Sequence, residues 1–270
     1  MDDLAPFARL IAAIDQWRAH LVLVGGWAHR LYRLHELANV PGYQPLTTKD
    51  TDFAFSAGAP LQGDIKAALE TAGFSEKLSG ESQPPVTHYE LSEDDAGFYA
   101  EFLTPLAGSG RKRDGKLDAT VAVAGVTAQK LRHLEILLIG PWVVKIGPDK
   151  GFPLPGKVDL QIANPASFIV QKLLIQHDRK PAKRAQDVLY IHDTLELFAG
   201  VLPELKASWE QRIRPTLSER ATRHVIELSA TSFSSVTDTI RDAAQMAQDR
   251  NLSPERLGGL CQAALREIIN

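Results

Sequence analysis

Cysteine is almost missing from this chain: among 270 residues there is one, Cys261, in an apolar helical pattern near the C-terminus. A lone thiol excludes an internal disulfide framework and a cysteine-rich zinc site, and it suits a reducing compartment. Long apolar runs are missing too, since none approaches the roughly 18–20 residues a bilayer span requires. The opening Met1-Asp2-Asp3 is acidic and lacks the layout of a signal peptide. These absences predict a cytoplasmic protein with no membrane partner. Nor does one sign of charge dominate. The net charge is −3, so any nucleic-acid partner would have to be held by a local basic patch. Ser109 and Thr104 have no visible base nearby, which leaves a hydrolase triad without support.

What is present is an ordinary globular composition, 44% hydrophobic and 23% charged. Phe7, Leu10, Ile11, Ile14 and Trp17 recur at helical spacing. His20–Val24 is a short apolar strand ending at Gly25-Gly26, and a second helical pattern follows through Trp27, Leu31, Tyr32 and His35. Residues 38–48 are loop-like. Thr51–Phe55 reads as a strand and 61–73 as a helix. Thr87–Leu91 and Phe98–Leu103 read as a hairpin across Ser92–Gly97. A polar loop at 108–116 carries Arg111, Lys112, Arg113 and Lys116. Val126–Leu138 is mixed, and Val143–Ile146 with Val158–Ile162 forms a further hairpin. From Pro165 onward the pattern is helical. The reading is an α/β protein: a small mixed-sheet domain over 1–163, then an α-helical domain over 164–270.

Chemistry concentrates in three places. Asp50 and Asp52 are two apart, so on a strand both carboxylates share a face while Phe53 and Phe55 take the other. Two neighbouring carboxylates repel unless a cation lies between them, and hard oxygen ligands suit Mg²⁺ shared with a substrate phosphate. Glu101, on another strand, would complete a site for one or two metal ions. Gly25-Gly26, without side chains, lets backbone N–H groups approach a phosphate; no Gly-Lys-Ser/Thr follows, so this is no Walker A loop. Taken singly, each motif has a plain structural explanation: a solvated strand end, simple turn chemistry, an exposed strand residue. Their order and spacing favour the chemical one.

Val24-Gly25-Gly26-Trp27 with Thr48-Lys49-Asp50-Thr51-Asp52-Phe53 resembles the signature of the polymerase-β-like nucleotidyltransferase superfamily. There a glycine turn precedes an Asp-x-Asp metal motif. Ala100-Glu101-Phe102-Leu103-Thr104-Pro105 resembles the strand of the third carboxylate, where aspartate is more usual. Lys172 in Phe168–Leu174, followed by Arg184-Ala185-Gln186-Asp187, resembles the Lys…Arg-x-x-Asp pattern of bacterial abortive-infection, toxin-type nucleotidyltransferases. The resemblance spans roughly residues 20–195 and is closest to uncharacterised bacterial nucleotidyltransferase-like proteins.

It implies transfer of a nucleotide from an NTP such as ATP to an acceptor, with release of pyrophosphate. Asp50, Asp52 and Glu101 would be catalytic and hold Mg²⁺. Gly25, Gly26, Lys49, Lys172 and Asp187 would bind the nucleotide, with the helical domain closing over it. The acceptor could be tRNA or a protein, and an antitoxin could be a partner. Two alternatives remain open: a catalytically inert NTP-binding or partner-binding module of the same fold, and a protein adenylyltransferase toxin. For Lys172 the plain alternative is an amphipathic-helix lysine at the surface, with Asp187 pairing to Arg184. His177 and His192 are expected on helix surfaces, and Trp27, Trp142 and Trp209 as packing residues.

Overall fold

A computed structural model describes residues 3–55, 61–79, 86–91 and 97–270. The chain divides into two compact units: Met1–Leu34 with Leu46–Ala163, and His35–Pro45 with Asn164–Asn270. The class is mixed α/β, with a mixed sheet and many helices.

The first unit is built on the sheet. Its strands are β1 (Leu21–Val24), β2 (Asp50–Phe55), β3 (Phe74–Ser79), β4 (Val86–Leu91), β5 (Tyr99–Pro105), β6 (Thr120–Val123), β7 (Val126–Leu131), β8 (Trp142–Ile146) and β9 (Val158–Ile162). They run in the order β3-β4-β5-β2-β1-β9-β8, and the β6–β7 hairpin joins through β7 alongside β5. β1 lies antiparallel to β2, while β2 and β5 are parallel. β1 and β2 are central strands and their apolar residues are buried, as strands covered on both faces require.

One side of β2 and β5 buries Phe53, Phe55 and Phe102, whose rings stack at 5.8 Å centroid separations. Each ring taken from water contributes about 1.5–3 kcal/mol. Helix α1 (Leu4–Ala13) and helix α2 (Gly25–Leu31) are tied together by Phe7 stacked on Trp27 at 3.8 Å. Helix α3 (Ile65–Thr71) starts later than its apolar pattern suggests, because the Asp64 carboxylate accepts from the Ala67 amide and caps it.

β4 and β5 pair antiparallel, with Leu91 N–H donating to the Phe98 carbonyl. Residues 92–96 of the connection fall outside the described residues. The mixed stretch 126–138 resolves into β7 and a short helix α4 (Leu134–Leu137). β8 and β9 form the expected antiparallel hairpin.

The second unit is helical: α5 (Pro165–Ile175), α6 (Pro181–Leu197), α7 (Leu202–Ser208), α8 (Glu219–Thr231), α9 (Asp238–Met246) and α10 (Pro254–Ile269). Its starts are written in polar caps. The Asn164 side chain accepts from the Ala166 amide ahead of Pro165 at the first helical position, and Ser218, Thr237 and Ser253 cap α8, α9 and α10. α10 packs against α6, α7, α8 and α9, burying Leu257, Cys261, Leu265 and Ile268.

The loop-like segment 35–45 belongs to this helical unit, although it follows α2 in sequence. Asn39 N–H donates to the Leu197 carbonyl at 2.8 Å, and Tyr43 hydroxyl donates to Glu196 at 2.6 Å. The Arg250 guanidinium lies 3.4 Å over the Tyr43 ring. Trp27 and Trp209 are fully buried packing residues, whereas Trp142 is half-buried.

Candidate active site

Two strands bring the acidic residues together. The parallel register sets Asp50 beside Tyr99 and Asp52 beside Glu101. Registered neighbours on adjacent strands point to the same face, and so do residues two apart on one strand. Asp50, Asp52, Glu101 and Tyr99 therefore share one face, opposite to that of Phe53 and Phe102.

On the other flank of β2, Val24 pairs with Asp52, which brings the chain's turn into α2 onto the same carboxylate. Gly25 makes that turn at φ +64°, a left-handed backbone that side chains rarely adopt. A Cβ on Gly25 would overlap an Asp52 carboxylate oxygen and lie 3.2 Å from its Cγ. The glycine is thus required twice, by its own backbone and by the carboxylate packed against it. Gly26 follows it, buried in the first turn of α2.

The electrostatics are those of crowded anions. Burial and then the charge of Asp50 push the Glu101 carboxyl above its ordinary value of 4.5. The Tyr99 hydroxyl is raised by burial and by Asp50, Glu101 and Asp52 in that order, the three carboxylates whose strand face it shares. Among the described residues no lysine or arginine forms an ion pair with Asp50 or Glu101. A half-buried carboxylate whose nearest charged neighbours are anions is a fitting ligand for a hard divalent cation, so the donor set suits Mg²⁺. Lys49 is exposed, and its side chain lies along the backbone of Gly97 at the entrance to β5.

Lys172 and Asp187 lie in the helical unit, on α5 and α6. Their side chains are 7% and 2% exposed, and the ammonium donates to Asp187 Oδ1 at 2.5 Å. The surface alternative for Lys172 does not hold, because α5 is buried nearly all round and leaves no solvent face for it. Asp187 also takes a different partner from the one that alternative assumed. Arg179 Nε donates to its second oxygen at 3.2 Å, while Arg184 turns away to the carbonyls of Arg179 and His177. Lys172 lies 5.3 Å from the Phe168 and Tyr190 ring centres.

A second acidic cluster on α6, His192, Asp193 and Glu196, has ligand atoms all within 4.8 Å of one another. It is already neutralised. Arg250 donates to Asp193 at 2.5 Å, and Tyr43 and Arg256 engage Glu196. His192 was expected at a helix surface, but it is 1% exposed with Nδ1 2.9 Å from Asp193. His177 is exposed.

A nucleotidyltransferase family model matches residues 2–214. The chain belongs to that nucleotidyltransferase family. The match runs over Gly25, the Asp50–Asp52 pair, Glu101, Lys172 and Asp187, and it supports nucleotidyl transfer as the general activity. No curated protein and no solved structure matches the chain significantly.

Tyr99 is the residue of this nucleotidyltransferase that motif reading passes over. Its signal was available, two residues ahead of Glu101 and so on the same strand face, yet an aromatic in a strand ordinarily reads as core. The exposed turn Arg111-Lys112-Arg113 follows β5 in the chain, with Arg111 Nη1 donating to the Gly115 carbonyl at 2.8 Å. Among the described residues no helix is long and apolar enough to cross a membrane.

Proposed function

We propose that this protein transfers a nucleotide from an NTP to an acceptor with release of pyrophosphate, and that it requires Mg²⁺. The observation that carries the reading is the register of β2 against β5, which gathers Asp50, Asp52 and Glu101 on one face with the close backbone of Gly25 at its edge. Asp50, Asp52 and Glu101 would hold the ion. When bound it would neutralise charge on the triphosphate and favour departure of pyrophosphate.

The residues themselves carry the remaining roles. Asp50 and Asp52 would hold that cation against the nucleotide's phosphates. Glu101 would take the proton of the acceptor hydroxyl. Gly25 and Gly26 let the backbone approach a phosphate, Lys49 adds a positive charge beside the acidic strand, and Lys172 and Asp187 are nucleotide-binding residues by their resemblance alone.

For the acceptor, the specific observation is the exposed cationic turn at 111–116, which favours a polyanion such as tRNA over a protein. A toxin-type role would add an antitoxin partner, and expression of the wild type alone would then arrest growth where Asp52→Asn would not.

The test is incubation with Mg²⁺ and each labelled NTP in the presence of total RNA or cell protein. Label on RNA supports the reading in full, and label on protein supports transfer with the adenylyltransferase alternative. Asp50→Asn and Asp52→Asn should each abolish transfer with the fold retained. An NTP that binds and is never transferred would make the module inert and overturn the reading.

A further inference from the structure

Between residues 172 and 187 the chain carries five cations (Lys172, Arg179, Lys180, Lys183 and Arg184) against two carboxylates, Asp178 and Asp187. The protein as a whole is net negative, so this is a local concentration of positive charge. Within it one side chain is held unlike the others. Arg179 is fixed at two points. Its Nε donates to Asp187 Oδ2 at 3.2 Å, and its carbonyl accepts from Arg184 Nε at 2.8 Å. Arg184 also donates from Nη2 to the His177 carbonyl, pinning the turn that precedes Pro181.

The anchor beneath Arg179 is buried and itself braced. Asp187 is 2% exposed, and its other oxygen is taken by Lys172. The lysine pairs with that carboxylate in the interior, and the carboxylate in turn aims the arginine. A guanidinium is a planar fork, so fixing Nε sets the direction of both Nη groups. Among the described residues those two nitrogens have no protein partner, and the side chain is 39% exposed. Lys180 and Lys183 are exposed on either side of Pro181.

We propose that Arg179 is an anion-binding residue, aimed by the Lys172–Asp187 pair, that grips the terminal phosphates of a nucleoside triphosphate in fork fashion. Lys172 then acts through Asp187 and Arg179 rather than by touching phosphate, its ammonium being spent on the buried carboxylate. Arg184 is a positioning residue that holds the turn. Lys180 and Lys183 add charge around the fork. The identity of the ligand rests on the nucleotidyl-transfer reading; the anion site rests only on the geometry of the helical unit.

Inorganic tripolyphosphate, titrated calorimetrically into the full chain, tests the site without transfer. Arg179→Ala should weaken its binding roughly tenfold to a hundredfold, the worth of losing charge-assisted hydrogen bonds. Arg179→Lys, which keeps charge and loses the fork, should recover only part of that. Arg212→Ala, an exposed arginine of the same unit, should bind as the wild type does. Asp187→Asn leaves Lys172 buried without its counter-ion and can fail to fold, so Arg179 carries the test.

Wild-type protein that does not bind tripolyphosphate, or an Arg179→Ala variant that binds it equally well, overturns the proposal. The two readings separate cleanly. Loss of tripolyphosphate binding in Arg179→Ala, in a protein that transfers no nucleotide, sinks the enzymatic reading and keeps this site. Transfer with an unchanged KM for NTP in Arg179→Ala does the reverse.

Discussion

The Asp52 carboxylate occupies the space where a side chain on Gly25 would begin. The contact follows from the antiparallel register that sets Val24 against Asp52 and from the left-handed turn that Gly25 makes immediately afterwards. It couples the glycine turn to the acidic strand more tightly than either motif shows alone.

Gly25→Ala therefore meets two penalties. The backbone at φ +64° costs about 1–3 kcal/mol for a residue with a Cβ, and that Cβ displaces Asp52. Denaturant titration should show the loss of stability. Transfer should fall further than stability alone explains, because the displaced carboxylate belongs to the proposed metal site. A variant with wild-type turnover would show that the Asp52 position is not critical.

Glu101 sets a pH dependence whose sign can be worked out. Its folded-state pKa is raised above 4.5, so the folded chain holds this proton more tightly than the unfolded one. Its contribution to stability is fully present below the unfolded value and is lost as pH rises through the folded value. Without metal, Glu101→Gln should then be more stable than wild type at neutral pH, and the gap should close in acid. Added Mg²⁺ should raise the melting temperature of the wild type at neutral pH and lose that effect in acid. Transfer by Glu101→Gln should fall by a factor on the order of 10²–10⁴, the usual worth of general acid–base help. Equal melting curves at every pH would remove Glu101 from the acidic face.

The Lys172–Asp187 pair should behave as a buried ion pair and not as a surface one. Lys172→Met or Asp187→Leu leaves a buried charge unpaired and should cost about 3–5 kcal/mol in urea titrations. The double variant removes both charges and should cost less than either single change. Strict additivity would mean that the two charges do not depend on one another.

Much of the first unit was legible because the relevant physics is local. A spacing of two on a strand fixes a common face, so Asp50 and Asp52 could be paired from the chain alone. The polar caps and prolines ahead of α5 and α10 mark those helix starts in the same way. Other features depend on partners distant in sequence. That Asp52 lies beside Glu101 is a matter of parallel pairing across nearly fifty residues, which alternation within either strand cannot specify. Tyr99 enters the site only through that pairing.

The burial of Lys172 and His192 was decided by tertiary packing, since a helix pattern shows where a polar residue recurs but not which neighbours surround it. Asp187 and Asp193 are the buried partners that Lys172 and His192 find inside. Segment 35–45 shows the same division. Its glycine and prolines mark an irregular chain, but its contacts with Leu197, Glu196, Asp249 and Arg250 assign it to the helical unit. The sequence by itself determined the acidic strand, the glycine turn and the run of helices, because each is set by neighbours a few residues away. Only the tertiary structure decided which charges face one another, because that depends on strands and helices meeting across long stretches of chain.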